Sequence, residues 1–260
     1  MKKLLSLALV LGLGAMLMAG CSSTSSPTTS VPTSYAASSI GALASTGLAI
    51  DNSILDVAPY AMAANGARVR MAAPTAPAYG SDNWWTSTNT WTSSSYTYTY
   101  NYKFRIWKST GSEITTAAEL DAADHDNISK LWTYTTFDTT LTTTSGAVTI
   151  TYQLGESTDK PLKFEGIGSA SPTIDGLLKY SGAYGGESFN ISMTYNSLTL
   201  NASGYPSGTV DFSFNVSGGV AYAGTITYDG TSSATLAFTS GGSGTYTINL
   251  DSGVVAAMVD

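Results

Sequence analysis

A strict alternation of apolar and polar residues runs along the chain from Tyr96 to Trp107. The apolar positions are every second residue: Tyr96, Tyr98, Tyr100, Tyr102, Phe104 and Ile106. Because successive side chains of a β-strand point to opposite faces, this pattern predicts a long strand with one apolar face. Such a strand must bury its apolar face against other parts of the protein.

The same alternation returns in later runs, which are separated by short glycine-containing turns such as Asp229-Gly230. These runs are 148–154, 189–195, 210–216, 220–228, 234–238 and 246–250. Weaker strand patterns lie near 132–142, 162–165 and 174–184. The sequence therefore predicts an all-β domain over residues 84–260, mainly an antiparallel meander of about ten strands.

The alternation does not determine how the sheet closes. A sandwich, a closed barrel with its apolar face inward and a half-barrel wrapped around helices all obey a period of two. A transmembrane barrel with its apolar face outward obeys it as well. The uneven strand lengths and the C-terminal residues 257–260, which form no aromatic strand, argue against a transmembrane barrel.

One or two short helices are expected beside the sheet. Thr116 and Glu119 form a capping-box pattern, and apolar residues at near-helical spacing predict a helix over Thr116–Leu131. Residues 36–83 form an Ala-rich segment in which Asn52 or Ser53 would cap a short helix and Pro59 would interrupt it. The end of this segment, rich in Ala, Pro and Gly, is predicted to be a loop.

The N-terminus carries an export signal. Lys2 and Lys3 precede an uncharged apolar run that ends at Leu17-Met18-Ala19-Gly20-Cys21. This ending resembles the lipobox of bacterial lipoproteins. The resemblance implies that the signal peptide, residues 1–20, is removed and that Cys21 is lipidated. It also implies a lipid-anchored protein of the bacterial cell envelope, and Ser22 favours the outer membrane over the inner one. Residues 21–35, rich in Ser, Thr and Pro, would form a tether.

Charge and rare residues exclude several classes of function. With 11 Lys and Arg against 18 Asp and Glu, the chain has no basic footprint, so nucleic acid is not an expected partner. The single Cys and single His exclude a disulfide framework and a zinc site built from several such ligands. Segment 119–126, with His125 among acids, is interpreted as a solvated surface, although Asp121 and Asp124 would offer loose cation ligands. We predict no cofactor, no metal, no catalytic residue and no enzymatic activity.

Two groups of aromatic residues are candidates for ligand binding. Trp84, Trp85 and Trp91 stand near asparagines and would stack on sugar rings if exposed, or pack under the sheet if buried. Trp107 is expected on the polar face of its strand. Tyr98, Tyr100 and Tyr102 carry polar hydroxyls on the apolar face, which suits either a cavity for an amphipathic ligand or the margins of a sheet.

These features favour a binding module that holds an apolar or amphipathic ligand within a curved sheet. This inferred architecture looks like that of the lipoprotein carriers of the outer-membrane sorting pathway, although no motif supports the likeness. The alternative is a structural or interaction lipoprotein that contacts an envelope protein or glycan through the sheet surface or through Trp84, Trp85 and Trp91.

Overall fold

A computed structural model describes residues 76–92, 96–123, 126–143, 146–184, 187–201 and 204–258. Cys21, the tether and most of the Ala-rich segment lie outside these residues. The described part contains thirteen strands and one short helix, which we label in chain order. They are β1 Ala78–Tyr79, β2 Trp85–Thr92, β3 Tyr96–Lys108, α1 Ala117–Asp121, β4 Ile128–Thr143, β5 Gly146–Leu154, β6 Leu162–Glu165, β7 Thr173–Tyr184, β8 Glu187–Leu200, β9 Pro206–Val216, β10 Tyr222–Asp229, β11 Ser233–Ser240, β12 Thr245–Asn249 and β13 Val255–Ala257.

All thirteen strands belong to one antiparallel sheet, which confirms the predicted all-β meander. Twelve strands follow chain order as neighbours, and β6 is inserted beside β4 and β7. Among the described strands, β1 pairs only with β2 and β13 only with β12. The hydrogen-bonded path is therefore open at both ends and does not close into a barrel.

The structure has more strands than the expected ten because three strands, β1, β2 and β13, show no alternation in the sequence. Strands β1 and β13 contain two and three residues, too few to show an alternation. Strand β2 is long enough, but Ser87 and Asn89 occupy positions on the apolar face, so its sequence shows no period of two. The Ala-, Pro- and Gly-rich end of segment 36–83, predicted to be a loop, contains the short strand β1.

One face of the sheet, called here the inner face, holds the core. In-register partners place Phe104 opposite Thr133, and Met193 opposite Phe212. The buried residues form one hydrophobic cluster that reaches from Trp85 to Leu250. Burial of a large apolar side chain contributes about 1.5–3 kcal/mol, so this cluster is the main source of stability.

The opposite, outer face is polar and consists largely of threonine, serine and asparagine. Hydroxyls on this face bond to neighbours on adjacent strands. Thr225 Oγ1 donates to Asp211 Oδ1 at 2.7 Å, and the hydroxyls of Thr90 and Thr99 lie 3.1 Å apart. Threonine suits these positions because its β-branched side chain favours a strand while its hydroxyl remains hydrated.

The predicted helix exists but is shorter than expected. The capping box is present: Thr116 Oγ1 accepts the Glu119 N–H at 3.4 Å, and Glu119 Oε2 accepts the Thr116 N–H at 3.3 Å. The helix ends at Asp121, and the expectation that it continues to Leu131 is wrong. Ile128 and Leu131 are instead buried in β4, where pairing with β3 overrides the near-helical spacing.

Candidate functional site

The structure buries the first two candidate tryptophans. Trp84 is 5% exposed and Trp85 is 2% exposed. The Trp85 indole Nε1–H donates to the Ile114 carbonyl at 2.8 Å, and its ring stacks on Phe104 at 6.1 Å between centroids. A ring that binds sugar needs an open face. Burial therefore argues against a stacking platform at both residues, and Trp85 belongs to the core under the sheet.

The other candidate aromatics lie on β2 and β3. Trp91 and Tyr98 are register partners, and Tyr100 pairs with Phe137. For Trp91, Tyr98 and Tyr100 the structure describes the backbone but not the side chains. Tyr102 is buried; burial raises the pKa of its hydroxyl, while a hydrogen bond with Thr133 opposes the shift.

Further tyrosines continue the inner face across the sheet. Tyr152 and Tyr180 are register partners on β5 and β7, and Tyr222 lies on β10. Burial raises the pKa of Tyr180 to about 12 and also raises the pKa of Tyr222. The Tyr180 and Tyr222 hydroxyls therefore stay protonated at physiological pH. The tyrosines form part of a packed interior rather than a charged site.

The outer face contains a groove of about 520 Å³ that crosses four strands, β5, β7, β8 and β9. Register explains its composition, because two rows of outward residues run across these strands. Thr151, Ser181, Asn190 and Asn215 form one row through successive pairings. The complete lining is Thr149, Thr151, Ser181, Gly182, Ala183, Ser188, Asn190, Asn215 and Ser217.

Differences in side-chain size account for the depression. The side chains of Ser181 and Ala183 on β7 and of Ser188 on β8 are small, whereas the neighbouring threonines of β5 and asparagines of β8 and β9 are larger. We term this depression the Ser/Thr/Asn groove. Sequence reasoning predicted a polar outer face but missed the groove. The signal was present as small residues at outward positions of two neighbouring strands.

The groove offers hydrogen bonds without charge. None of its nine lining residues is ionisable. Thr151 Oγ1 donates to Asp138 Oδ1 at 2.7 Å, and Ser217 Oγ accepts the Ser188 N–H at 2.9 Å. Asn190 and Asn215 are register partners with exposed side chains, and each amide both donates and accepts. The groove can therefore bind a neutral, hydroxyl-rich molecule.

A second outer-face feature combines aromatic rings with cations. As predicted, Trp107 lies on this face; its ring centroid is 4.8 Å from that of Trp132. The Arg105 guanidinium lies 5.0 Å from the Trp107 ring and 5.7 Å from the Trp132 ring. Lys163 Nζ lies 5.2 Å from the Trp132 ring. We call these four residues the cation–aromatic cluster.

Carboxylates balance the cations of this cluster. Glu113 accepts two bonds from Arg105, at 2.8 and 2.6 Å, and Glu165 accepts the Trp132 indole N–H at 3.2 Å. The Glu113 contact also raises the pKa of Arg105. Since the rings contact each other and the cations, the cluster links β3 to β4 and β6.

Within the described ranges, no group of three or more His, Cys, Asp and Glu side chains converges as a metal site. Asp124 and His125 lie outside those ranges. In the same described part, no helix has the length and apolar character needed to cross a membrane.

Comparisons with known protein families, with curated proteins and with solved structures found no match to this chain.

Proposed function

We propose that this protein is a lipid-anchored, non-enzymatic binding module of the bacterial cell envelope that holds a neutral glycan in the Ser/Thr/Asn groove. The groove's uncharged hydroxyl and amide lining carries the proposal. The lipobox-like sequence that ends at Cys21 supports the anchor and the location.

Chemistry favours a glycan over a charged ligand. Sugar hydroxyls donate and accept hydrogen bonds, which matches serine, threonine and asparagine side chains that also do both. A strongly charged ligand would lose hydration without finding an opposite charge in the lining. An apolar ligand would leave the hydroxyls and amides without partners, at a cost of about 1–3 kcal/mol per group.

The test is a binding assay with immobilised neutral polysaccharides, using acidic polysaccharides for comparison. The mature chain would carry Cys21→Ser so that it can be purified without lipid. We expect binding to at least one neutral polysaccharide and a loss of at least tenfold in the double variant Asn190→Ala/Asn215→Ala, equivalent to about 1.4 kcal/mol.

Asn196→Ala is the matched control, because Asn196 lies on the same strand and face but outside the groove. Retained binding in this control and loss in the double variant support the groove. Equal loss in both variants, or no binding to any neutral polysaccharide, contradicts the proposal.

A second candidate function is storage of an amphipathic ligand against the inner face. The observation that favours it is the run of tyrosines across that face, because each combines an apolar ring with a polar tip. Native mass spectrometry of the same Cys21→Ser chain, prepared without detergent, tests this function. A discrete added mass that disappears on denaturation supports it, and the bare polypeptide mass favours the outer-face groove.

A further inference from the structure

The two ends of the sheet differ in how their edges are protected. At one end, β1 is only two residues long, follows Pro77 and is held by the Tyr79 hydroxyl against Glu113 at 3.5 Å. At the other end, β13 pairs with β12 on one side, and no described strand lies on its other side. Natural sheets blunt such edges with charge, proline or bulges. Residues 253–258 contain neither a charge nor a proline.

The backbone of β13 shows which groups face outward. Val254 accepts the Asn249 N–H at 2.8 Å, and the Met258 N–H donates to Thr245 at 2.9 Å. Residues of an antiparallel strand alternate between facing one neighbour and facing the other. The N–H and C=O groups of Val255 and Ala257 therefore point away from β12, where the described chain supplies no partner strand.

The side chains at this edge are also unusual. Val254 is 64% exposed and Met258 is 51% exposed, and they are the exposed large hydrophobic residues of the described part. The alternation of the strand places both on the outer face with Ala256, whose register partner is Thr247. An apolar stripe thus borders an open edge on a face that is otherwise polar.

We propose that β13 pairs edge to edge with β13 of a second copy of this chain. In an antiparallel arrangement with a two-fold axis at Ala256, Val255 of each copy faces Ala257 of the other. The outward groups of these residues then form four backbone hydrogen bonds, two for each facing pair. The same register sets Val254 beside the second copy's Met258, which covers the apolar stripe.

A second copy fits this edge because residues 254–258 are self-complementary in backbone spacing, in side-chain polarity and in charge. The outward residues are spaced evenly about Ala256, apolar side chains meet apolar side chains, and residues 253–258 contain no charge. So short a strand pair covers much less than the roughly 1,200 Å² at which stable interfaces begin. The pairing is therefore weak and reversible. Because the full sequence has a net charge of -7 and the mature chain, which lacks Lys2 and Lys3, is more acidic still, added salt strengthens the pairing by screening repulsion.

Analytical ultracentrifugation of the Cys21→Ser chain over a range of concentrations tests the association. We expect a monomer–dimer equilibrium that shifts toward dimer in high salt. Ala257→Pro removes an outward N–H without removing a bond to β12, and Met258→Lys places a charge on the stripe. Both variants are expected to be monomeric. Thr194→Lys, the same charge placed in the middle of the outer face, is expected to leave the dimer unchanged.

A cysteine variant tests the register. Facing residues at the axis have Cα atoms about 4.5 Å apart, within the range of a disulfide. In the Cys21→Ser background, Ala256→Cys is expected to form a covalent dimer with oxidised glutathione, and Thr194→Cys is not. A chain that stays monomeric at every concentration overturns the proposal. A dimer that survives both edge variants, or equal cross-linking at both cysteine positions, overturns it as well.

Discussion

The inner and outer faces belong to the same strands but differ in almost every physical property. On β9, Phe212 and Phe214 face inward and are buried, whereas the residues that precede them, Asp211 and Ser213, are exposed. The inner face holds one continuous apolar cluster. The outer face holds separate features: the polar Ser/Thr/Asn groove, the cation–aromatic cluster and the apolar stripe at β13.

The inner face provides stability, and the outer face is available for recognition. Burial on the inner face stabilises the sheet, so substitutions there should lower the free energy of unfolding. The outer face can vary in side-chain length and polarity without opening the core, so binding surfaces can form on it.

Truncation of a fully buried inner residue should have the largest effect. Phe164 on β6 is fully buried among β4 and β7 residues. Phe164→Ala is expected to lower the free energy of unfolding by about 3–5 kcal/mol because it leaves a cavity. Urea denaturation followed by tryptophan fluorescence measures this change. Thr194→Ala, exposed on the outer face of β8, is the control, and a similar loss in both variants would contradict the division between the faces.

An added methyl group at Gly224 should have the next largest effect. A Cβ at this inner position of β10 would clash with the Ala237 carbonyl oxygen and would lie 2.8 Å from the Phe212 ring. Gly224→Ala is therefore expected to cost about 1–3 kcal/mol through overpacking. The control is Thr227→Val on the outer face of the same strand. Unchanged thermal stability in Gly224→Ala would show that the ring and strand adjust freely.

The cation–aromatic cluster should contribute a smaller amount of stability, although it lies on the outer face. Glu113→Gln removes the charge that holds Arg105 beside the two tryptophans. We expect a loss of about 1–2 kcal/mol, in the range for hydrogen bonds to charged groups. Urea denaturation at low and high salt measures it. A loss of binding to glycan without any loss of stability would instead assign this cluster to recognition.

Glu119 should give a small pH-dependent contribution at α1. Hydrogen bonds from Lys108, Thr116 and the Thr115 N–H lower the pKa of Glu119 to about 2. Because the folded-state pKa is depressed, the contribution is present above the unfolded value near 4.5 and is lost as pH falls toward 2. The difference in melting temperature between wild type and Glu119→Gln should therefore shrink from pH 5 to pH 2. A difference that grows on acidification would contradict this sign.

Filling the Ser/Thr/Asn groove should have the smallest effect on stability. Ser181→Val adds a β-branched side chain at a central lining position, so the free energy of unfolding should change by no more than about 0.5 kcal/mol. Neutral polysaccharide binding should be lost, and wild-type affinity should not vary between pH 5 and 8 because the lining has no ionisable group. Retained binding in the folded variant would exclude the groove.

Most of the fold followed from local sequence. Alternation over 96–107 and in later runs predicted β3, β5 and the strands from β8 to β12, and the weaker patterns predicted β4, β6 and β7. The helix after Thr116 began where its capping box indicated. Its end was missed because Ile128 and Leu131 satisfy a helical spacing while their burial depends on β3, a partner that the local pattern does not contain.

Less of the candidate site was predictable. Tryptophans in a polar context suggested stacking, but Trp84 and Trp85 are buried, and their burial depends on contacts such as the Ile114 carbonyl, 29 residues away from Trp85. The groove was not predicted, because Thr151, Ser181, Asn190 and Asn215 come from four strands. A single strand shows only that such residues face outward.

The strand periodicity, the two faces and the antiparallel order follow from the local sequence, because side-chain alternation and short turns act over a few residues. Which outward residues meet, how the sheet ends and which aromatic rings are covered follow only from tertiary packing. These properties depend on register between distant strands, and a register is set only when the whole inner face is buried together.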